Sequence, residues 1–235
     1  MTTWGVIGSG HIGSTVARLA VAAGHDVVVS NSRGPETLAD LVAELGPHAR
    51  AAPAAEAGAA GDIVLVSIPL RAYRDVPVEP LAGKVVLDTN NYYPQRDGHV
   101  AELADGTTTS SELLQQHLPS SHVIKVFNNI YVGHLAELAR QSGSPERSAL
   151  AIAGDDAEAK ITAAAVLDAI GYDTVDAGPP AQGWRFQPDT PTDGAPYFVP
   201  DADRSVVDPT TGRIPGSSPT PASNIARVLT AATRS

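Results

Sequence analysis

The sequence predicts an α/β fold: a Rossmann-like, doubly wound parallel sheet with helices on both faces, followed by an irregular Pro-rich C-terminal arm. Three observations predict it. Short β-branched runs alternate with Ala-rich segments of helical period over the first 176 residues. The runs are apolar without alternation, as strands buried on both faces must be. The first run also opens directly into the glycine turn Gly8-Ser9-Gly10-His11-Ile12-Gly13. Strand–helix alternation of this kind builds an open parallel sheet.

The strand runs are Trp4–Ile7, Val27–Val29, Ile63–Ile68, Val85–Leu87, Val123–Val126 and Ala149–Ile152. Between the first two, Ile12, Val16, Leu19, Ala20 and Ala23 share one helical face, and Gly24 can end that helix in a left-handed conformation. Leu38, Leu41, Val42 and Leu45 repeat the pattern, and Gly46-Pro47 stops it. A third helix is expected from about Asp156 to Ile170, capped by Asp155 or Asp156 and closed by Gly171. The texture then changes. Ten of the 19 prolines lie between Pro179 and Pro221, so no helical domain can follow. Trp184, Phe186, Tyr197 and Phe198 argue for order, and a short helix from about Ala222 to Ala232 closes the chain. The expected division is a nucleotide-binding domain, 1–177, and a Pro/Gly-rich arm, 178–235, packed on the sheet or on a second subunit.

Composition excludes several functions. The net charge is −10 with only three lysines, and phosphate-backbone recognition needs clustered positive charge, so no nucleic-acid partner is expected. There is no cysteine, hence no disulfide, thiolate nucleophile or Cys-held metal. The seven histidines have no partners at metal-ligand spacing, so no metal is expected. No apolar stretch approaches ~18 residues and no basic leader precedes an apolar run. The expectation is a cytoplasmic protein that does not bind membranes and acts on a small molecule.

The glycine turn has the setting a dinucleotide requires: a strand before, a helix after and a second strand about twenty residues on. Gly8 permits the tight turn, Gly10 lets the backbone approach a pyrophosphate, and Gly13 lets helix and strand pack closely. The helix start, with His11 and Ile12, offers N–H groups and a positive dipole end. The second strand ends in Ser30-Asn31-Ser32-Arg33, where an NAD site would carry Asp or Glu. Neutral donors and an arginine suit a 2′-phosphate instead, so NADP(H) is the expected cofactor.

Ligands of such sheets bind outside the carboxyl ends of the strands. Ser67, Ile68 and Pro69 form a bend expected beside the nicotinamide ribose. Asp88 to Pro94, with Asn90, Asn91, Tyr92 and Tyr93, supplies a wall of amides and phenols. Asn128 and Asn129 follow the next strand and could bond a carboxamide or a substrate ring. Mid-strand Lys125 either snorkels at the sheet edge or has a role in the site. His11, Asn128 and Tyr93 are the candidates to touch the reacting groups. No Tyr-x-x-x-Lys pair and no Gly-x-Ser-x-Gly elbow is present. That shortage suits a hydride passed between two apposed rings, an NADPH-dependent reductase of a small imine or ketone that uses Tyr92, Tyr93 or Tyr197 as acid, or a nucleotide sensor without turnover.

At these residues the chain resembles the NADPH-dependent coenzyme F420 reductase family, the F420-dependent NADP oxidoreductases. The carrying motifs are residues 6–13, 24–34, 88–94 and 125–129, with Ile152-Ala153-Gly154-Asp155-Asp156 and Gly183-Trp184-Arg185-Phe186. The resemblance covers about residues 1–190. It implies a Rossmann-like fold and hydride transfer between NADP(H) and the deazaflavin coenzyme F420, in a homodimer. It also implies that Ser9, Ser32 and Arg33 read the NADP phosphate, with Asn31 an extra residue relative to some members. The arm beyond residue 190 departs from compact members.

Overall fold

A computed structural model describes residues 1–203 and 214–234. Gly212, Pro209 and the rest of 204–213, part of the expected arm, lie outside the described residues. Six strands form one parallel sheet in the order β3-β2-β1-β4-β5-β6. They are β1 (Thr3–Ile7), β2 (Asp26–Ser30), β3 (Ala49–Ala51), β4 (Ile63–Val66), β5 (Val85–Asp88) and β6 (His122–Lys125). Their connections carry α1 (His11–Ala22), α2 (Ala39–Leu45), α3 (Ala54–Ala60), α4 (Pro94–Asp97), α5 (Ala101–Ala104) and α6 (Ser110–His117). Strand order reverses between β1 and β4, whose carboxyl ends therefore open a crevice. The fold class is the one the sequence predicts.

The strand pleat explains the unbroken apolar runs. Trp4, Val6, Ile63 and Leu65 enter the core on one face of the sheet, while Ile7, Val64 and Val66 enter the other. Both faces are covered, so the central strands carry unbroken apolar runs. The helix starts follow the same logic. Thr109 and Glu112 exchange the two hydrogen bonds of a capping box at α6. Asp156 accepts from Ala159 N at 2.7 Å and so caps α8 (Ala157–Ala169).

One strand departs from expectation. β7 (Ala149–Ile152) does not extend the six-stranded sheet. After α7 (Val132–Glu137), it pairs in parallel with β8 (Asp173–Asp176), and an antiparallel bridge between Lys125 and Ala153 joins the two sheets. The start of β7 is taken by the arm, since Ala149 N donates to Thr220 O. The run Ile63–Ile68 also ends as a strand at Val66, because Pro69 has no N–H to continue the ladder. β3 and β8 were not read as strands. They are short and polar or small, and carry no apolar run.

The arm packs on the sheet. Phe186, Tyr197 and Phe198 are buried, and Ile225 and Leu229 of α9 (Ala222–Ala231) join the main core. The Tyr197 hydroxyl donates to Ala149 O at 2.9 Å. Among the described residues no helix is long and apolar enough to cross a membrane.

Candidate active site

Two compartments meet at the β1/β4 crevice. One, of about 470 Å³, is lined by the glycine turn, the β2 end from Ser30 to Arg33, and Ala54, Arg71, Asp75 and Val76. The other, of about 550 Å³, is lined by His11 and Ile12 and by Asn91, Tyr93, Phe127, Asn128 and Asp193, among others. Gly10, Ser67, Ile68 and Pro69 belong to both, so the compartments form one groove. A dinucleotide has this two-lobed shape, with a phosphate bridge in its middle.

The glycine turn fits that bridge. Gly8 has φ +100°, and a Cβ there would strike Ser67 O. A Cβ on Gly13 would strike Gly8 O, so this buried residue lets α1 approach the turn and does not itself line the groove. Gly10 faces open space. It precedes the first helical turn, which holds no acidic residue and no side-chain cap, leaving its N–H groups to an anion.

At the end of β2 the four expected readers divide. Ser30 is fully buried, and its hydroxyl donates to Val6 O at 2.9 Å, so only its backbone borders the groove. Asn31 holds the turn itself: its Oδ1 accepts from Arg33 N and Gly34 N, and its Nδ2 donates to Thr37 Oγ1. The expectation that these two side chains meet a phosphate is therefore corrected. Ser32 and Arg33 are exposed and line the groove. The Ser9 hydroxyl donates to Ser30 O at 2.9 Å and keeps an acceptor lone pair beside them.

The second compartment is built from three strand ends and the arm. Asn90 is buried behind the wall: its Oδ1 accepts from Ile68 N at 3.3 Å, fixing the Ser67–Pro69 bend without lining the groove. This too corrects an expected direct contact. Phe127 is buried in the left-handed region at φ +64°, a costly place for an aromatic residue. That turn at the end of β6 aims Asn128 at the groove. Asn128 Nδ2 donates to Phe186 O at 2.6 Å and to Asn91 Oδ1 at 3.1 Å, and Asn91 Nδ2 returns a bond to Asn128 O at 2.7 Å. Asn128 Oδ1 is buried with no partner.

Tyr93 is 40% exposed at the rim, with Arg96 stacked 4.8 Å from its ring centre. Its phenol is pushed up, chiefly by burial, so it stays protonated and able to donate. The fully enclosed Asp97 side chain accepts from Arg96, Tyr93 N and Arg71 N. Burial raises that carboxyl, but these bonds outweigh it and hold it below the usual carboxylate range. Asp193 arrives from the arm. Asn129 Nδ2 donates to Thr192 O, and Gly194 N donates to Asn129 O. Gly194, at φ +65°, leaves room for the Tyr131 ring, which a Cβ would strike.

Lys125 does not snorkel. It is 1% exposed, and its ammonium donates to Asn90 O at 2.9 Å and Ser110 Oγ at 3.0 Å. Sequence reasoning missed Arg71, Arg96, Tyr131 and Asp193 as lining residues. Arg71, Tyr131 and Asp193 stand in no motif, and only the fold brings them to the groove. Among the described residues no cluster of three or more His, Asp or Glu side chains could hold a metal.

Residues 3–92 match the family of coenzyme F420-dependent NADP oxidoreductases. It is the family whose motifs the sequence resembles. No curated protein matches the chain. A hypothetical protein from Sinorhizobium meliloti, SMa0349, is 27% identical with a TM-score of 0.68, over 80% of this chain and 91% of its own. A protein from Arthrobacter, assigned as an F420-dependent NADP reductase, is 26% identical with a TM-score of 0.66, over 78% and 87%. An imine reductase from Bacillus cereus is 19% identical with a TM-score of 0.56, over 77% of this chain and 56% of its own; it shares the fold. The family match and the Arthrobacter protein support NADP-dependent oxidoreduction as the class of chemistry.

Proposed function

We propose that the protein transfers a hydride between NADP(H) and the deazaflavin coenzyme F420, as a cytoplasmic homodimer. The observation that carries the reading is the match of residues 3–92, a segment holding both the glycine turn and the groove-lining Asn91, to a family of that reaction. NADPH, when bound, supplies the hydride. The chain's own residues position it. The turn at Gly8–Gly10 and the start of α1 bind the pyrophosphate, and Ser32 and Arg33 bind the 2′-phosphate. Asn91 and Asn128 line the end of the groove that receives the carboxamide. Ile68 and Pro69 pack against the ribose. The rest of the 550 Å³ compartment receives the acceptor ring, with Phe127 and Ile130 as apolar wall and Tyr131 at the rim. Apposition of two rings needs no further catalytic group.

Mixing the protein with oxidised F420 and either NADPH or NADH tests this. Bleaching of the deazaflavin band with NADPH, and far slower bleaching with NADH, is expected. No bleaching while NADPH remains bound would refute it. One observation favours a second reading: the Tyr93 phenol stands at the rim of the nicotinamide-side compartment, where the acid of a small-imine or small-ketone reductase would stand.

A further inference from the structure

Arg71 is absent from every motif, yet it stands where the two compartments meet. It lies in the 3₁₀ turn Leu70–Asp75, directly after the Ser67–Pro69 bend. Its backbone N donates to Asp97 Oδ1 at 3.4 Å, and its Nη1 donates to Arg96 O at 2.9 Å. Arg71 lines the compartment of Arg33, whereas Arg96 lines the other. The side chain is thus tethered across the junction by one edge of its guanidinium. Among the described residues, Nε and Nη2 make no hydrogen bond. Gly10, the open glycine of the turn, lines both compartments and shares the compartment of Arg33 with Arg71. The chain carries a net charge of −10, so a cation held in this groove is a local exception to the field around it.

We propose that Arg71 binds the cofactor's pyrophosphate together with the glycine turn, while Arg33 reads the 2′-phosphate. The proposal rests on the dinucleotide reading of the groove. It follows from geometry: a ligand that fills both lobes must place its diphosphate at their junction. A guanidinium with two unused donors on one edge matches two phosphate oxygens. The two arginines then have separable tasks. Arg33 selects NADP over NAD, and Arg71 holds what both dinucleotides share.

Calorimetric titration of the full chain with NADPH, NADH and adenosine 2′-monophosphate separates them. Arg71→Met is expected to weaken NADPH and NADH alike, by about tenfold. Adenosine 2′-monophosphate, which has no pyrophosphate, should bind as before, and this also shows that the variant is folded. Arg71→Lys should recover most of the loss for both dinucleotides. Unchanged dinucleotide affinity in Arg71→Met would overturn the proposal. So would a loss confined to NADPH, or a matching loss for adenosine 2′-monophosphate, since either makes Arg71 a second 2′-phosphate reader. A wild-type protein that binds neither dinucleotide would overturn this inference together with the cofactor reading.

Discussion

Asp88 and Lys125 are register partners at the carboxyl ends of β5 and β6, and both are buried. Burial pushes the Asp88 carboxyl up and the Lys125 ammonium down, and each offsets the other's shift. The carboxylate accepts from Asn90 N and from Ser111 Oγ. Every contact of the ammonium is an acceptor, Asn90 O and Ser110 Oγ. The surroundings therefore hold the ionised pair, and through Asn90 the pair holds Ile68. Lys125→Met leaves a buried charge uncompensated and should cost about 3–5 kcal/mol. Asp88→Asn together with Lys125→Met should cost less than the sum of the single changes, by about 1–3 kcal/mol. Urea unfolding of the three variants at pH 7 measures this. Strict additivity would show that the two charges do not compensate each other.

Arg33 and Ser32 are the β2-end side chains left exposed to the groove once Ser30 and Asn31 are committed elsewhere. Arg33→Ala should weaken NADPH by roughly 1.5–3 kcal/mol and leave NADH nearly unchanged. Titration with each nucleotide reads the difference. Equal losses would remove the 2′-phosphate assignment.

The parallel sheet and the place of the groove were legible because two signals do not depend on tertiary context. A glycine turn between strand and helix fixes the crevice, and doubly buried strands need unbroken apolar runs. Side-chain direction was less legible. Ser30 and Ser32 are the same residue type two positions apart, yet Ser30 is bonded inward to Val6 O and Ser32 is exposed. Asn90 and Asn91 are adjacent, and only Asn91 lines the groove. Lys125 looked like an edge residue because its partners lie 15 and 35 residues away. Asp193 was invisible for the same reason: its place depends on Asn129 pinning the arm, a contact no local pattern encodes.

Tyr93 separates the two readings of the chemistry. Its phenol is pushed up by burial, and Asn91 Nδ2 approaches it at 3.5 Å. If hydride passes between two apposed rings, Tyr93→Phe should change the rate of deazaflavin reduction by no more than a few fold. If the phenol protonates a small imine or ketone, the same change should lower kcat by ~100-fold or more. Parallel assays of the variant with F420 and with a cyclic imine decide. A large loss with F420 would mean that the proton transfer belongs to the deazaflavin reaction as well.

Asp97 ties the rim of the groove to its junction, because its carboxylate accepts from Arg96, from Tyr93 N and from Arg71 N. Its carboxyl lies below the ordinary range in the folded chain. The sign follows from linkage: a depressed folded pKa gives stability that is present above the unfolded value of about 3.9 and is lost as pH falls through the folded value. Asp97→Asn should therefore cost about 1–2 kcal/mol at pH 7, since an amide cannot accept all of these bonds. Below about pH 4 the wild type loses the same contribution, and the gap between the two proteins should narrow. Urea unfolding at pH 7, 5 and 3.5 follows that gap (other carboxylates titrate in both proteins and cancel in the difference). A gap that stays constant to pH 3.5 would mean that the ionised carboxylate adds nothing beyond its shape.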